Sequence, residues 1–277
     1  MISTLNCKGQ ILDLSTPVVM GILNTTPDSF YDGGLYNSVE KALEQAEKMI
    51  QEGATILDIG GASSRPDAVI VSEAEELDRT IPVIKAIHQK WPKQMISIDT
   101  WRASVAREAI ANGASIINDI SGGSMDPKMF QTVADCQVPY ILMHIQGTPQ
   151  DMQRTPHYDD IITEILDYFI EKVGQLRALG VKDIVLDPGF GFGKTITHNY
   201  TLFRSMDQFS PILNLPLLVG ISRKSMIYKL LETSSADTLS ATCALNALAL
   251  ERGASILRVH DVKPAIDVIK IWQAYSL

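Results

Sequence analysis

At 277 residues, with 45% hydrophobic and 20% charged side chains, the chain has the make-up of an ordinary folded protein and can bury a sizeable core. A formal net charge of −8 argues against broad nucleic-acid binding, though it leaves room for a local cationic pocket. Three widely spaced cysteines, Cys7, Cys136 and Cys243, exclude a disulfide framework and a cysteine zinc site, and predict free thiols in a reducing compartment.

The N-terminus has no basic segment leading into an apolar stretch, so no signal peptide is expected. No apolar run is long enough to span a bilayer. Both points predict a cytoplasmic protein. The segment before Val18, with a turn near Lys8-Gly9, predicts a β-hairpin.

Val18 to Leu23 is the first core strand and ends on Asn24. A helix follows, with Val39, Ala42, Leu43, Ala46, Met49 and Ile50 on one stripe, Ser38 as its start and Gly53 as its stop. Gly53-Ala54-Thr55-Ile56-Leu57-Asp58 then returns the chain to a buried strand. The phrase recurs as Gly113-Ala114-Ser115-Ile116-Ile117-Asn118, as Gly180 to Asp187 and as Gly253-Ala254-Ser255-Ile256-Leu257-Arg258. In each, Gly supplies a left-handed cap, the β-branched run suits a strand covered on both faces, and a polar residue closes it.

Ser72 and Glu75 can form a capping box for the second helix, and Pro82 predicts a kink or restart within it. Met95 to Ile98 ends on Asp99. Helices around Val105 to Ile110 and Met129 to Ala134 flank the strand before Asn118. Tyr140 to Met143 ends on His144. A long helix runs from Ile161 to Leu176, before the strand that closes on Asp187. Asn199 to Met206, Ala236 to Arg252 and Ala265 to Tyr275 are the remaining helices, and Leu217 to Ile221 is the remaining strand.

Eight alternations of strand and helix, with right-handed crossovers, predict an α/β fold: a single (β/α)8 TIM barrel over residues 1–277, its lower end covered by the N-terminal hairpin. A doubly wound open sheet is the alternative topology. The loops from Asn24 to Asn37, Gly60 to Val71 and His144 to His157 are long and belong on the functional face.

Asp99, Asn118 and Asp187 at that rim suit a flat heterocycle carrying an amino group beside a ring N–H. Each alone could be a helix cap. Arg65, Lys194, Lys224, Arg258 and His260 supply cations or donors for an anionic ligand group, although Lys194 taken alone reads as solvated charge. His260, two residues after Arg258, is expected to share its strand face. Asp187-Pro188-Gly189-Phe190-Gly191-Phe192-Gly193-Lys194-Thr195 is not a P-loop, because Pro stands where the first Gly is required. Its glycines predict close approach to a ligand, with Phe190 and Phe192 divided evenly between core and pocket wall. Ser222 and Ser225 show no base nearby in sequence. A bound Mg²⁺ could use the Asn24 oxygen, with ligand phosphates and water completing its shell.

In these stretches the chain resembles the dihydropteroate synthase family, over nearly its whole length. They are Gly21 to Phe30, Asp58-Ile59-Gly60-Gly61 with Ser63-Ser64-Arg65-Pro66, Ser97 to Thr100, Ile117-Asn118-Asp119, Met143-His144 with Gly147-Thr148-Pro149, Asp187 to Lys194, Ser222 to Ser225, and Arg258 to Val262. The resemblance implies condensation of 6-hydroxymethyl-7,8-dihydropterin pyrophosphate with p-aminobenzoate, yielding 7,8-dihydropteroate and pyrophosphate. It implies that Asp99, Asn118, Asp187 and Lys224 hold the pterin, that Met143 and Phe192 wall it and that Arg258 stacks on it. Asn24, Arg65, Arg258 and His260 would bind pyrophosphate, with Asn24 on Mg²⁺. Phe30, Ser64, Pro66, Lys224 and Ser225 would shape the p-aminobenzoate site, the sulfonamide target. Asp99, Asp187, Lys224 and Arg65 are the catalytic candidates.

A homodimer is also implied, with the helix from Ala236 to Arg252 as a contact, and no membrane or nucleic-acid partner. Ala62, Ser64 and Asp67 depart from the family's frequent Glu, Thr and Gly. The alternatives are a pterin-binding methyltransferase, which needs a corrinoid partner and no pyrophosphate cations, and a non-catalytic pterin-binding paralogue.

Overall fold

The computed structural model describes residues 3–25, 34–62 and 71–276, with the backbone alone at 34–38. Strands β1 (Thr4–Cys7) and β2 (Gln10–Asp13) form an antiparallel hairpin. Its turn uses Lys8 and Gly9, both at positive φ. Strands β3 (Val18–Asn24), β4 (Ile56–Gly60), β5 (Met95–Asp99), β6 (Ile116–Asp119), β7 (Tyr140–Met143), β8 (Ile184–Asp187), β9 (Leu217–Val219) and β10 (Ala254–Val259) close into a parallel barrel. β10 pairs with β3, so the barrel sheet has no open edge. The closed barrel, and not the open sheet, is the topology.

Ten helices alternate with the strands among the described residues: α1 (Gly34–Glu52), α2 (Glu73–Lys90), α3 (Ala103–Ala111), α4 (Met129–Cys136), α5 (Ile161–Ala178), α6 (Ile196–Ser205), α7 (Phe209–Leu213), α8 (Ser225–Tyr228), α9 (Leu239–Glu251) and α10 (Val262–Ser276). The four repeat glycines, Gly53, Gly113, Gly180 and Gly253, all have positive φ, so each repeat does turn a helix back into a strand.

Two cores result. Outward-facing strand residues such as Val19, Leu57, Ile98 and Leu186 pack against the helices. Inside the lower barrel, Met20, Ile56, Met95, Ile116, Ile141, Val185, Leu218 and Ile256 meet Leu5, Cys7, Leu12 and Leu14 of the hairpin segment. The hairpin therefore plugs the lower end and leaves the C-terminal mouth as the open end.

Some local expectations fail. Ser38 does not start α1, which begins a turn earlier at Gly34. The restart allowed for at Pro82 does not occur: α2 continues through it, with Thr80, Ile81, Val83 and Ile84 buried on either side despite the lost hydrogen bond. Ser72 does cap α2, accepting from Glu75 N at 3.2 Å, but the Glu75 carboxylate turns to Arg79 rather than back to the cap. The short helices α7 and α8 were not foreseen.

Candidate functional site

Register carries the site. Asn24 pairs with Gly60, Gly60 with Asp99, and Asp99 with Asn118, so these four residues stand at one level across β3 to β6. Met143 and Asp187 pair across β7 and β8. Because register partners share a face, the polar strand ends converge on one mouth instead of scattering.

Arg258 bridges the barrel there. Its guanidinium donates from Nε to Asp58 Oδ2 at 2.6 Å and from an Nη to Asp99 Oδ2 at 2.6 Å. Asn118 Nδ2 donates to the same Asp58 oxygen at 3.0 Å. Asp58 is 1% exposed and had not been singled out as a site residue. The signal was in the sequence: Asp58, Asn118, Asp187 and Arg258 occupy the same slot of the four repeats, and three of them bond to one another here.

Burial sets the charges. It pushes the Asp99 carboxyl up to about 7; Arg258 opposes the shift, and Asp58, Glu76 and Asp119 add to it. Burial likewise raises Asp187, against Lys224, the Gly189 N–H and Arg258. Lys224 is lowered by burial to about 8, with Asp187 opposing. Burial works against the Arg258 charge, but Asp58 and Asp99 outweigh it and move its pKa up. The mouth thus holds a fixed cation beside two carboxyls, Asp99 and Asp187, that burial makes harder to ionise.

The loop after β8 is wired from within. Lys194 is 3% exposed and not a solvated surface charge. Its Nζ donates to the Gly189 and Phe192 carbonyls at 2.9 and 3.0 Å and lies 3.0 Å from His144 Nδ1. Burial, opposed by Asp187, holds its pKa well below the lysine range. Lys224 Nζ donates to the Phe190 carbonyl and lies 4.7 Å from the Phe192 ring centre. A β-carbon on Gly189 would fall 1.9 Å from the His144 carbonyl oxygen, and one on Gly193 2.4 Å from that of Gln146. The close approach these glycines permit is to the neighbouring loop's backbone. Phe190 is core, packed on Phe203, whereas Phe192 joins Trp101, Ile120, Met143 and Ala62 in an apolar patch at the rim.

The last two loops are clasped together. Ser222 Oγ accepts the His260 N–H at 3.3 Å and lies 3.0 Å from His260 Nδ1. Which of the two donates depends on the imidazole tautomer. Ser222 therefore has a His partner that its sequence neighbours did not reveal. Arg223, in the left-handed region at φ 57°, forms a two-pronged bond to Asp261. His260 lies beyond the end of β10, so it shares no strand face with Arg258. Ser225 opens α8 next to Lys224. Phe30, Ser64, Arg65 and Pro66 lie outside the described residues, as does Asp67.

Among the described residues no group of three or more His, Cys, Asp or Glu side chains could hold a metal. Asn24 offers a neutral oxygen at the mouth. Its Oδ1 is 3.7 Å from where a Gly60 β-carbon would stand, a side-chain space that Gly60 leaves open. That fits a hard cation held mainly by ligand oxygens and water.

A closed parallel barrel, plugged below and lined above with acceptors around a fixed guanidinium, is the architecture of a small-molecule enzyme. The family model described as "Pterin binding enzyme" matches residues 20–260. The chain is 48% identical over 269 residues to the dihydropteroate synthase of Escherichia coli K12, covering 96% of this chain and 94% of the relative. A Yersinia pestis dihydropteroate synthase structure with a sulfonamide drug complex superposes with TM-score 0.93 at 44% identity, covering 99% of each chain. A Xanthomonas albilineans dihydropteroate synthase with 4-aminobenzoic acid gives 0.92 at 40% identity, over 99% of this chain and 98% of that one. The chain belongs to the dihydropteroate synthase family.

Proposed function

We infer that the protein condenses 6-hydroxymethyl-7,8-dihydropterin pyrophosphate with p-aminobenzoate, giving 7,8-dihydropteroate and pyrophosphate for folate synthesis. The observation that carries this reading is the convergence of Asp99, Asn118 and Arg258 at the open mouth of the barrel, with Asp187 and Lys224 interacting beside them.

The pterin lies against Asp99, Asn118 and Asp187, whose oxygens accept from its amino group and ring N–H. Arg258, held edge-on by two carboxylates, presents its planar face for stacking. Met143 and Phe192 supply the apolar wall. Arg65, Arg258, Asn24 and His260 bind the pyrophosphate. Asn24 would hold a Mg²⁺, which supplies charge neutralisation of the leaving group when bound. Phe30, Ser64, Pro66, Lys224 and Ser225 shape the p-aminobenzoate side.

Carbon–oxygen cleavage at the exocyclic methylene sends the electron pair out with pyrophosphate. The carboxylates beneath the ring favour the cation that develops on the pterin. The aryl amine, already neutral near pH 7, closes the carbon–nitrogen bond and then loses its proton, so no strong base is required.

The protein works as a cytoplasmic homodimer. Free Cys7, Cys136 and Cys243 support a reducing compartment, and no helix among the described residues is long and apolar enough to cross a membrane. Exposed Leu239 and Leu248 on α9 and Ile271 and Tyr275 on α10 support a self-contact there. Sedimentation of Leu248→Glu should shift from dimer to monomer; an unchanged profile rejects this face. For the reaction, mixing protein, Mg²⁺ and both substrates should release pyrophosphate and dihydropteroate in equal amounts. Pyrophosphate release that ignores p-aminobenzoate would count against it.

A further inference from the structure

Asp58 lies one layer below the row of residues that face the ligand, pairing in register with Ile22 and Ser97 rather than with Asp99. It is buried, and one of its oxygens takes two donors: Arg258 Nε and Asn118 Nδ2. A carboxylate oxygen facing a guanidinium can only accept. The Asn118 amide therefore has one orientation: its NH2 end is committed to Asp58, and its carbonyl end is the one left to turn away from Asp58. Without Asp58, the amide could sit either way at nearly equal cost.

We propose that Asp58 is a positioning residue that fixes Asn118 as an acceptor and so makes the floor of the site, with Asp99 and Asp187, an all-acceptor surface for the donor edge of the pterin. The inference rests on the pterin reading above. It gives a role to a carboxylate buried in the barrel interior, where burying charge is costly. The same carboxylate holds the Arg258 plane, so the acceptor set and the stacking cation share one anchor.

A rescue pair separates this role from simple support. In Asp58→Asn the amide oxygen can take over both bonds. Its NH2 then falls at the place of Asp58 Oδ1, on the strand beside Ser97, whose Oγ is buried and has no hydrogen-bond partner among the described residues. In Asp58→Leu there is no acceptor, and Asn118 is free to turn. Leu should raise the KM for the pterin pyrophosphate at least tenfold, and weaken 6-hydroxymethyl-7,8-dihydropterin binding in calorimetry equally, with the KM for p-aminobenzoate within twofold of wild type. Asn should stay within about threefold of wild type on all three.

Equal rises of both KM values, or a Leu variant that binds the pterin as wild type does, overturn the proposal. So does an Asn variant as weak as Leu. Should Asp58→Leu not fold, the wild-type side-chain amide resonances decide it. One Asn118 Nδ2 proton should be shifted downfield and protected from exchange without any ligand, and the shift should survive in Asp58→Asn. Amide protons at the shifts of a free Asn side chain, exchanging without protection, refute the pairing. Calorimetry of the wild type separates the parent reading: no pterin binding overturns the pterin assignment, while the amide signal still reports on Asp58 and Asn118.

Discussion

Replacing Arg258 by Met should destabilise the protein in a pH-dependent way. The substitution keeps much of the side-chain volume but removes the one hydrogen-bond donor to the Asp99 carboxylate among the described residues, and one of two donors to Asp58. Breaking a buried pair by removing one member costs about 3–5 kcal/mol. The sign of the pH effect follows from Asp99. Its folded pKa, raised by burial to about 7, lies above its unfolded value of about 3.9. Between those values the folded protein holds a proton that the unfolded chain releases, so wild-type stability falls from this group as pH rises toward 7 and then levels. Without Arg258 the opposing attraction is gone and the folded pKa moves higher, so the fall continues through pH 8. Each further pH unit costs about 1.4 kcal/mol. Urea unfolding of both proteins at pH 6 and pH 8 should show a destabilisation larger at pH 8 by about that amount. A loss equal at both pH values, or smaller at pH 8, would refute the reasoning.

Three other outcomes are expected. The kcat/KM for the pterin substrate should be bell-shaped, with an acid limb near 7 from Asp99, whose ionised form accepts donors, and an alkaline limb near 8 where Lys224 loses its charge; Lys224→Arg should abolish the alkaline limb in a pH–rate series. Leu5→Ala in the hairpin should cost about 2–5 kcal/mol in denaturant titration, with kcat per folded molecule unchanged, because the plug is at the far end of the barrel from the mouth. Gly189→Ala should leave little folded protein by circular dichroism, since its β-carbon would overlap the His144 carbonyl, whereas Gly174→Ala on α5, with nothing within 4 Å, should melt at or above the wild-type temperature.

The barrel was legible because its repeats are local. A capping Gly, an apolar run and a polar end can be read within a handful of residues, and Gly53, Gly113, Gly180 and Gly253 all do what the pattern requires. What sequence concealed were partnerships across the barrel. Asp58 and Arg258 are 200 residues apart and meet through a closed ring of strands; no local rule pairs them. The solvated alternative for Lys194 fails because its own loop folds back onto the His144 backbone and buries it. No restart occurs at Pro82, where the helix continues between buried neighbours on α2. His260 and Ser222 joined only once β9 and β10 became neighbours. In each case the missing information was which strand ends share a mouth, and register supplies it.

The crystal structure of the protein with bound 7,8-dihydropteroate tests the acceptor-lined mouth most directly. The pterin ring should sit within hydrogen-bond distance of Asp99, Asn118 and Asp187, with the Arg258 plane against its face. A ring bound elsewhere, or one that leaves those three oxygens unengaged, would contradict it.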